Sequence, residues 1–469
     1  MIKIGLITSP SSLKINDFSI KGAILGVEKN LKFSPLPRLW SLALATYLRE
    51  SLPVVKVDII DGSLIDFQDI IYRIRNEKFD IIGLSPLVIN YKETLKIARF
   101  AKKCGAKIVL GGHYATALRR EILQNRGPGS DDYCVDAVIQ YDGEKAFYEY
   151  VAGKPSSKIN NLVYRENNQI MENPVEILNL DELPAINYDL VNLNDYFVRQ
   201  DPRFRRAITF VSQRGCLWAE KSKRCFFCSI QDKKLRLRSP EKVFREIKVL
   251  IKKYGIKTIH EVGDDFLGSK EWFGEFSDYF SGIKNKPSFK IEVRPSHIDF
   301  KTALAFKKMN IKYVTLGAES FSEQILSRFK KGLTPEINKR AVFLLAEAGL
   351  FPMPNIILGG PGENAKTLSE TDLAIRTISE KISLTGGECG FSILIFRPDP
   401  GSLAWQEFLK KETKYKGKDS FSLIKSMKDW NRDFCKADLK KINLARNRMI
   451  SFIRRKNRDT LANCSDKLF

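Results

Sequence analysis

The chain has 469 residues, 43% of them hydrophobic and 28% charged, with 78 Lys+Arg against 55 Asp+Glu and a net charge of +23. This composition suits a globular protein of two to four domains at roughly 100–200 residues each. It is too apolar for a disordered chain, and no run approaches the roughly 18 apolar residues of a membrane span.

Met1 to Ser9 reads as a buried strand and not as a secretion signal, so a cytoplasmic chain is expected. Strands are expected at Ile2–Thr8, Val54–Ile60, Ile81–Leu87, Lys107–Leu110 and Ala137–Gln140. Helices fall between them at Leu39–Leu48, Ile70–Ile74 and Tyr91–Lys103, and another starts at Lys145. Alternation at these lengths predicts an α/β domain over 1–154, a doubly wound parallel sheet with ligands beyond the carboxyl ends of its strands. Residues 155–205 break the pattern; they read as a linker with a hairpin around Glu166-Asn167-Asn168.

A second βα series spans 206–400. Its strands are Ala207–Val211, Thr258–Val262, Lys290–Arg294, Tyr313–Ala318, Asn355–Leu358 and Phe391–Phe396. One helix is bounded by Ser239-Pro240 at its start and Gly255 at its end. Six such units predict an open, partial (β/α)6 barrel with its site at the carboxyl ends of the strands. Residues 401–469 read as a basic helical segment. From 410 onward there are 18 Lys+Arg against 7 Asp+Glu, a net charge of +11. Leu439, Ile442 and Met449 are its expected packing positions. The basic excess has two readings, affinity for nucleic acid or acidic substrates, or a lysine-rich composition of the host.

Eight cysteines are present, and most are scattered, unlike a disulfide framework. Cys216, Cys225 and Cys228 are crowded together just after the first strand of the second series, spaced C-x8-C-x2-C. Three local thiolates suit a 4Fe-4S cluster with one iron left open; a zinc site with a distant fourth ligand, or no metal, are the alternatives from spacing alone.

The surrounding sequence resembles the radical SAM superfamily over nearly the whole second series. The likeness rests on Gln213-Arg214-Gly215-Cys216-Leu217-Trp218, Cys225-Phe226-Phe227-Cys228, Leu316-Gly317-Ala318-Glu319-Ser320, Lys331-Gly332 with Thr334, Leu358-Gly359-Gly360-Pro361-Gly362-Glu363 and Pro398-Asp399-Pro400-Gly401-Ser402. One departure stands out: the family usually has three residues between its first two cysteines, and this chain has eight, with Glu220, Lys221, Lys223 and Arg224 expected to bulge to solvent. The resemblance implies a 4Fe-4S cluster on Cys216, Cys225 and Cys228, next to Phe227, and S-adenosylmethionine (SAM) on its open iron. It further implies Arg294 on the SAM carboxylate, Glu319 and Ser320 toward the ribose or amino group, Gly359 and Gly360 against the adenine, and Asp264 with Asp265 near SAM. A structural Arg294–Glu319 ion pair is the competing reading.

In the first domain, Ser85-Pro86-Leu87 and Gly111-Gly112 resemble the motifs of cobalamin-binding domains, where small residues let a nucleotide tail pass between strand ends. Gly111-Gly112-His113-Tyr114-Ala115-Thr116, Asp142-Gly143-Glu144 and Pro37–Leu48 resemble the version fused to radical SAM domains. The motif that supplies a histidine to cobalt is absent, and the loop from Ser9 to Pro35 holds no histidine. His113 reads more simply as a hydrogen-bonded loop residue than as a cobalt ligand. A domain that keeps the fold without cobalamin is the alternative.

The resemblance implies reductive cleavage of SAM to a 5′-deoxyadenosyl radical, with an electron donor such as flavodoxin or ferredoxin. The leading expectation is a cobalamin-dependent methyltransferase acting on an unactivated carbon of a small-molecule or peptide-like substrate, with nucleic acid a less favoured partner and no membrane. Two alternatives compete. A tRNA-modifying methylthiotransferase fits the basic tail, but it would need a second cluster that Cys104 and Cys134 do not provide. A non-catalytic cobalamin or redox sensor is at odds with the intact SAM motifs.

Overall fold

The computed structural model describes residues 1–10, 35–125, 133–198, 200, 204–220, 223–232, 234–283 and 285–465. The first sheet has seven strands: β1 (Lys3–Thr8), β2 (Lys56–Asp61), β3 (Ile81–Leu84), β4 (Lys107–Leu110), β5 (Ala137–Ile139), β6 (Leu162–Glu166) and β7 (Gln169–Glu172), in the order β2-β1-β3-β4-β5-β6-β7. Strands β1 to β5 run parallel. The short apolar runs that form them are buried on both faces, as a sheet covered by helices requires. Helices Leu39–Ser51 and Glu144–Val151 cover one face through Ala45, Leu48, Phe147 and Val151. Helices Phe67–Glu77 and Tyr91–Lys103 cover the other through Ile70, Ile74, Leu95 and Ala98. The β6–β7 hairpin turns at Asn167 and Asn168, both at positive φ, and adds antiparallel to β5. The 155–205 stretch therefore extends this sheet as well as connecting it to the next.

The second sheet is all parallel and curls: β8 (Ala207–Phe210), β11 (Thr258–Glu261), β12 (Ser288–Val293), β13 (Ile311–Glu319), β14 (Phe351–Leu358) and β15 (Ser392–Ile395) lie side by side in that order. Alternation sorts its side chains cleanly. Ile208, Ile259, Ile291, Val314, Leu316, Ile356 and Ile393 join the helices in the core, so Thr209, His260, Lys290, Glu292, Thr315, Asn355 and Ser392 face the lumen. Helix Pro240–Tyr254 ends at Gly255, whose φ of 61° supplies the left-handed cap. A two-stranded antiparallel ribbon, β9 (Gln213–Arg214) with β10 (Arg236–Leu237), stands at the barrel mouth.

The basic C-terminal segment is packed against this barrel. In helix Leu439–Ser465, Ile442 and Met449 are fully buried and Leu439 is half-buried against the core. Arg446 reaches the edge strand, donating to the Ile393 carbonyl at 2.7 Å. Each buried apolar side chain contributes about 1.5–3 kcal/mol, so packing holds this helix whatever its charge does. The segment also returns to the first sheet: Asp419 accepts from Tyr91 Oη at 2.5 Å, and its carbonyl accepts from Tyr114 Oη at 2.6 Å. Among the described residues no helix is long and apolar enough to cross a membrane.

Candidate cofactor site

The carboxyl ends of β3, β4 and β5 open onto a cavity of about 370 Å³. Ser85, Gly111, Gly112, His113, Thr116, Gly143 and Glu144 line it from the first sheet, and Trp40 and Leu44 from the first helix. The opposite wall belongs to the barrel: Gln213, Arg214 and Gly215 before the cysteine loop, Gln231 and Asp232 after it, and Val262, Gly263 and Asp264 at the end of β11. One space thus joins the ends of both sheets. Gly112 sits at φ 83°, and a β-carbon there would stand 2.6 Å from Ser85 Oγ. The close Ser85–Gly112 approach is what the Ser and Gly motifs provide. Leu87 departs from expectation. It is 55% exposed and does not line the cavity, because its N–H donates to Asn90 Oδ1 at 2.8 Å and turns the chain into the next helix. The histidine-free loop at 11–34 lies outside the described residues.

Glu144 lines the cavity and is engaged by the β9–β10 ribbon. Arg214 Nη2 donates to it at 2.5 Å and Arg214 Nη1 to Asp142 at 2.6 Å; Arg236 Nη1 donates to Asp142 at 2.7 Å and Arg236 Nη2 to Asp232. Both arginines come from the β9–β10 ribbon. They clasp the base of the cysteine loop to the end of β5. Burial pushes the Asp142 carboxyl up, but the Arg236 hydrogen bond and the Arg214 charge outweigh it and hold it below its ordinary value.

Within the loop, Gly215 adopts φ 82°, and its N–H donates to Asp264 Oδ2 at 2.8 Å. Burial pushes the Asp264 carboxyl up, with His113 across the cavity opposing. Cys225 and Cys228 are joined by a tight turn, Cys228 N–H to Cys225 O at 3.2 Å, and Phe226 N–H is pinned to Phe329 O at 2.9 Å. Phe227 packs edge-on against Phe329. The three cysteines are half-buried and unpaired. Burial pushes the Cys216 thiol up and the Cys228 thiol up to about 11. Among the described residues no three Cys, His, Asp or Glu groups are gathered closely enough to hold a metal ion. The donor set nevertheless fits a cluster: three thiols share one loop, which is tied at Gly215 and at Phe226, and ligation deprotonates thiols. Of the extra residues, Glu220 and Lys223 are exposed as expected, and Lys221 lies outside the described residues. Arg224 instead turns inward, donating to the Ile230 and Gly401 carbonyls at 2.8 and 2.7 Å, so it fastens the loop to the end of the barrel.

At the barrel's charged end, Arg294 is buried, stacked on Trp218 at 4.4 Å, and bonded through Nη2 to the Lys331 carbonyl at 2.6 Å. Glu319 pairs with Lys331 at 2.5 Å and not with Arg294. Lys331 is a site residue that sequence reasoning passed over, although Lys331-Gly332 belonged to a quoted motif. Ser320 is turned inward beside Thr371 at 3.3 Å, and its carbonyl accepts from Asn338 at 2.9 Å. Asp265 is fully buried next to His297 at 3.4 Å. The Gly359–Gly360 pair also departs from expectation. The Gly359 carbonyl accepts from Trp430 Nε1 at 3.0 Å and its N–H donates to Glu363 at 2.9 Å, while a β-carbon on Gly360 would meet Phe329 at 2.7 Å. Trp430 of the C-terminal segment holds Gly359, and Phe329 of the barrel packs on Gly360.

Two family profiles match: the B12 binding domain over residues 33–151 and the radical SAM superfamily over residues 211–375. The chain is 30% identical over 383 residues to the uncharacterized methyltransferase PH0819 of Pyrococcus horikoshii, covering 79% of this chain and 78% of that one. It belongs to the cobalamin-binding radical SAM family. The family's cofactors are a 4Fe-4S cluster, SAM and cobalamin. Solved structures share the fold of this radical SAM chain. OxsB, a cobalamin-dependent SAM radical enzyme with aqua-cobalamin and SAM bound, superposes with a TM-score of 0.70 at 18% identity; the match takes in 95% of this chain and 66% of OxsB. The radical SAM methyltransferase TsrM of Kitasatospora setae gives 0.67 at 17% identity, over 88% of this chain and 78% of TsrM.

Proposed function

We propose that this radical SAM chain is a cobalamin-dependent methyltransferase that modifies an unactivated carbon of a small-molecule or peptide-like substrate. The observation that carries the reading is the single cavity between the two sheets, lined on one side by Ser85, Gly111 and Gly112 and on the other by the base of the cysteine loop. PH0819 and TsrM are both named methyltransferases, which supports it. When bound, the cluster and SAM supply one-electron cleavage chemistry and cobalamin supplies a transferable methyl group. Cys216, Cys225 and Cys228 hold the cluster in this reading. Arg294 already spends one donor on the Lys331 carbonyl and stacks on Trp218, which aims its remaining donors for a carboxylate. The Glu319–Lys331 pair beside it is closed, so Arg294, and not Lys331, takes the SAM carboxylate in this reading. Gly112 and Ser85 admit the cobalamin tail, and Asp142 and Glu144 fix the cluster loop above it. A flavodoxin- or ferredoxin-like protein serves as the electron donor.

The test is product analysis of SAM turnover by anaerobically reconstituted protein, with and without cobalamin. The proposal expects 5′-deoxyadenosine in both samples and S-adenosylhomocysteine only with cobalamin. Identical products in the two samples would remove cobalamin from the reaction.

A further inference from the structure

Below the charged end, the barrel lumen carries polar groups that nothing in the fold satisfies. Thr315 is 3% exposed between core residues Val314 and Leu316, and its Oγ1 has no hydrogen-bond partner. His260 Nε2 is likewise buried and unpartnered. Register places these groups together: His260 stands opposite Lys290, Lys290 opposite Tyr313, and Glu292 opposite Thr315. Buried polar groups normally find partners, because leaving one unpaired costs about 1–3 kcal/mol. A set of them at adjacent register positions on one sheet face therefore marks a place for a ligand. Val211 and Val262, just past β8 and β11, line the cavity above this face, while Phe204 packs on the His260 and Tyr313 rings from below.

The charges narrow the ligand class. Glu319 and Lys331 satisfy each other. Lys290 and Glu292 do not: no ion pair within 4 Å joins either to any described residue. They sit two residues apart on one strand face, about 7 Å along β12. Burial pushes the Lys290 ammonium down and the Glu292 carboxyl up, each opposed by the other's charge. Burial also holds His260 at about 3, so it is a neutral imidazole at pH 7. Lys290 is half-buried and Glu292 exposed on this face, so a purely anionic ligand on Lys290 would stand beside a like charge at Glu292, and a purely cationic one on Glu292 beside a like charge at Lys290. A ligand with both charges on neighbouring atoms avoids both.

We propose that the lumen receives the substrate as a zwitterion, a free α-amino acid or a molecule ending in one, with its carboxylate on Lys290 and its ammonium on Glu292. Thr315 and His260 complete the polar floor. This rests on the methyltransferase reading for the word substrate, but the binding site stands on the lumen residues alone. It excludes an internal peptide residue, whose amine and carboxylate are both blocked.

The test is calorimetric titration of the anaerobic, cofactor-loaded full chain with each of the twenty L-amino acids, and then of any that bind as the N-acetyl and the carboxamide derivative. At least one free amino acid should bind, and both blocked forms should bind at least tenfold more weakly. In Lys290→Met the carboxamide should bind as well as the acid, and Lys290→Arg should restore the preference. In Glu292→Gln the N-acetyl form should bind as well as the free amine. SAM affinity, read on the same samples, should be unchanged in all three variants and certifies their fold. No amino acid binding to protein that binds SAM and cobalamin would overturn the zwitterion site, as would blocked forms binding equally to the unaltered chain. Failure to bind SAM or cobalamin would instead strike the proposed function, and the amino-acid titrations would still decide the lumen.

Discussion

The two sheet ends face each other across one cavity, yet they present opposite surfaces. The end of the first sheet is made of absences: Gly111 and Gly112 carry no side chain, and Ser85 is small. The end of the barrel is crowded with mutual contacts, Arg294 on Trp218 and Lys331, Lys331 on Glu319, and Trp430 on Gly359. The first suits a large neutral ring system that brings its own shape. The second suits a small charged ligand that must meet fixed partners. The β9–β10 ribbon holds the two in register through Arg214 and Arg236.

If the barrel end alone supports the cluster, replacing any one of Cys216, Cys225 and Cys228 with Ala should abolish iron–sulfur absorbance and SAM cleavage while leaving cobalamin binding in place. Visible spectra of reconstituted protein check both halves, and a fully active Cys225→Ala protein would break the three-ligand assignment. The complementary change is Gly112→Val. Its branched side chain meets Ser85 in a left-handed backbone position, so bound cobalamin should disappear on desalting while the cluster and SAM cleavage remain.

A change at the clasp should have a smaller effect and be felt at both ends. Asp142 is almost wholly buried between two guanidiniums, so Asp142→Asn should cost about 3 kcal/mol in chemical denaturation, the lower range for breaking a buried pair. The sign with pH follows from its depressed folded value. The stability Asp142 contributes is present above the unfolded value of 3.8 and is lost as pH falls through the lower folded one. The Asn variant should therefore show a shallower acid-side loss than the unaltered chain.

The smallest effect is expected from the charge of the basic tail: tRNA affinity should be weak and vanish near physiological salt. Its packing is another matter: with Ile442 and Met449 buried, Met449→Ala should destabilise the fold by about 2–5 kcal/mol. Tight tRNA binding that survives salt and requires the residues after Lys410 would favour an RNA substrate instead.

The architecture was legible because its strands are short apolar runs and its helices carry start and stop residues, as at Pro240 and Gly255. The glycine and cysteine motifs were legible for the same local reason. What escaped notice was long-range. The ribbon has two residues per strand, too few for any periodicity, and its arginines meet carboxylates 70 to 94 residues away. Gly359 and Gly360 looked like ligand-approach positions, but Trp430, 71 residues further on, donates to the Gly359 carbonyl, and Phe329 packs on Gly360. Leu87 fitted a motif by sequence, yet Asn90 turns the chain before its side chain reaches the cavity. Lys331 lay in a quoted motif, but only the fold shows that it, and not Arg294, neutralises Glu319.

The central claim is that one cavity brings the two metal cofactors together. Pulsed dipolar electron paramagnetic resonance on the full chain, with its cluster reduced and its cobalamin in the cob(II) state, measures their separation directly. A strong, well-defined magnetic interaction that broadens in Asp142→Asn is expected. Two isolated signals with no interaction, in protein that carries both cofactors, would contradict it.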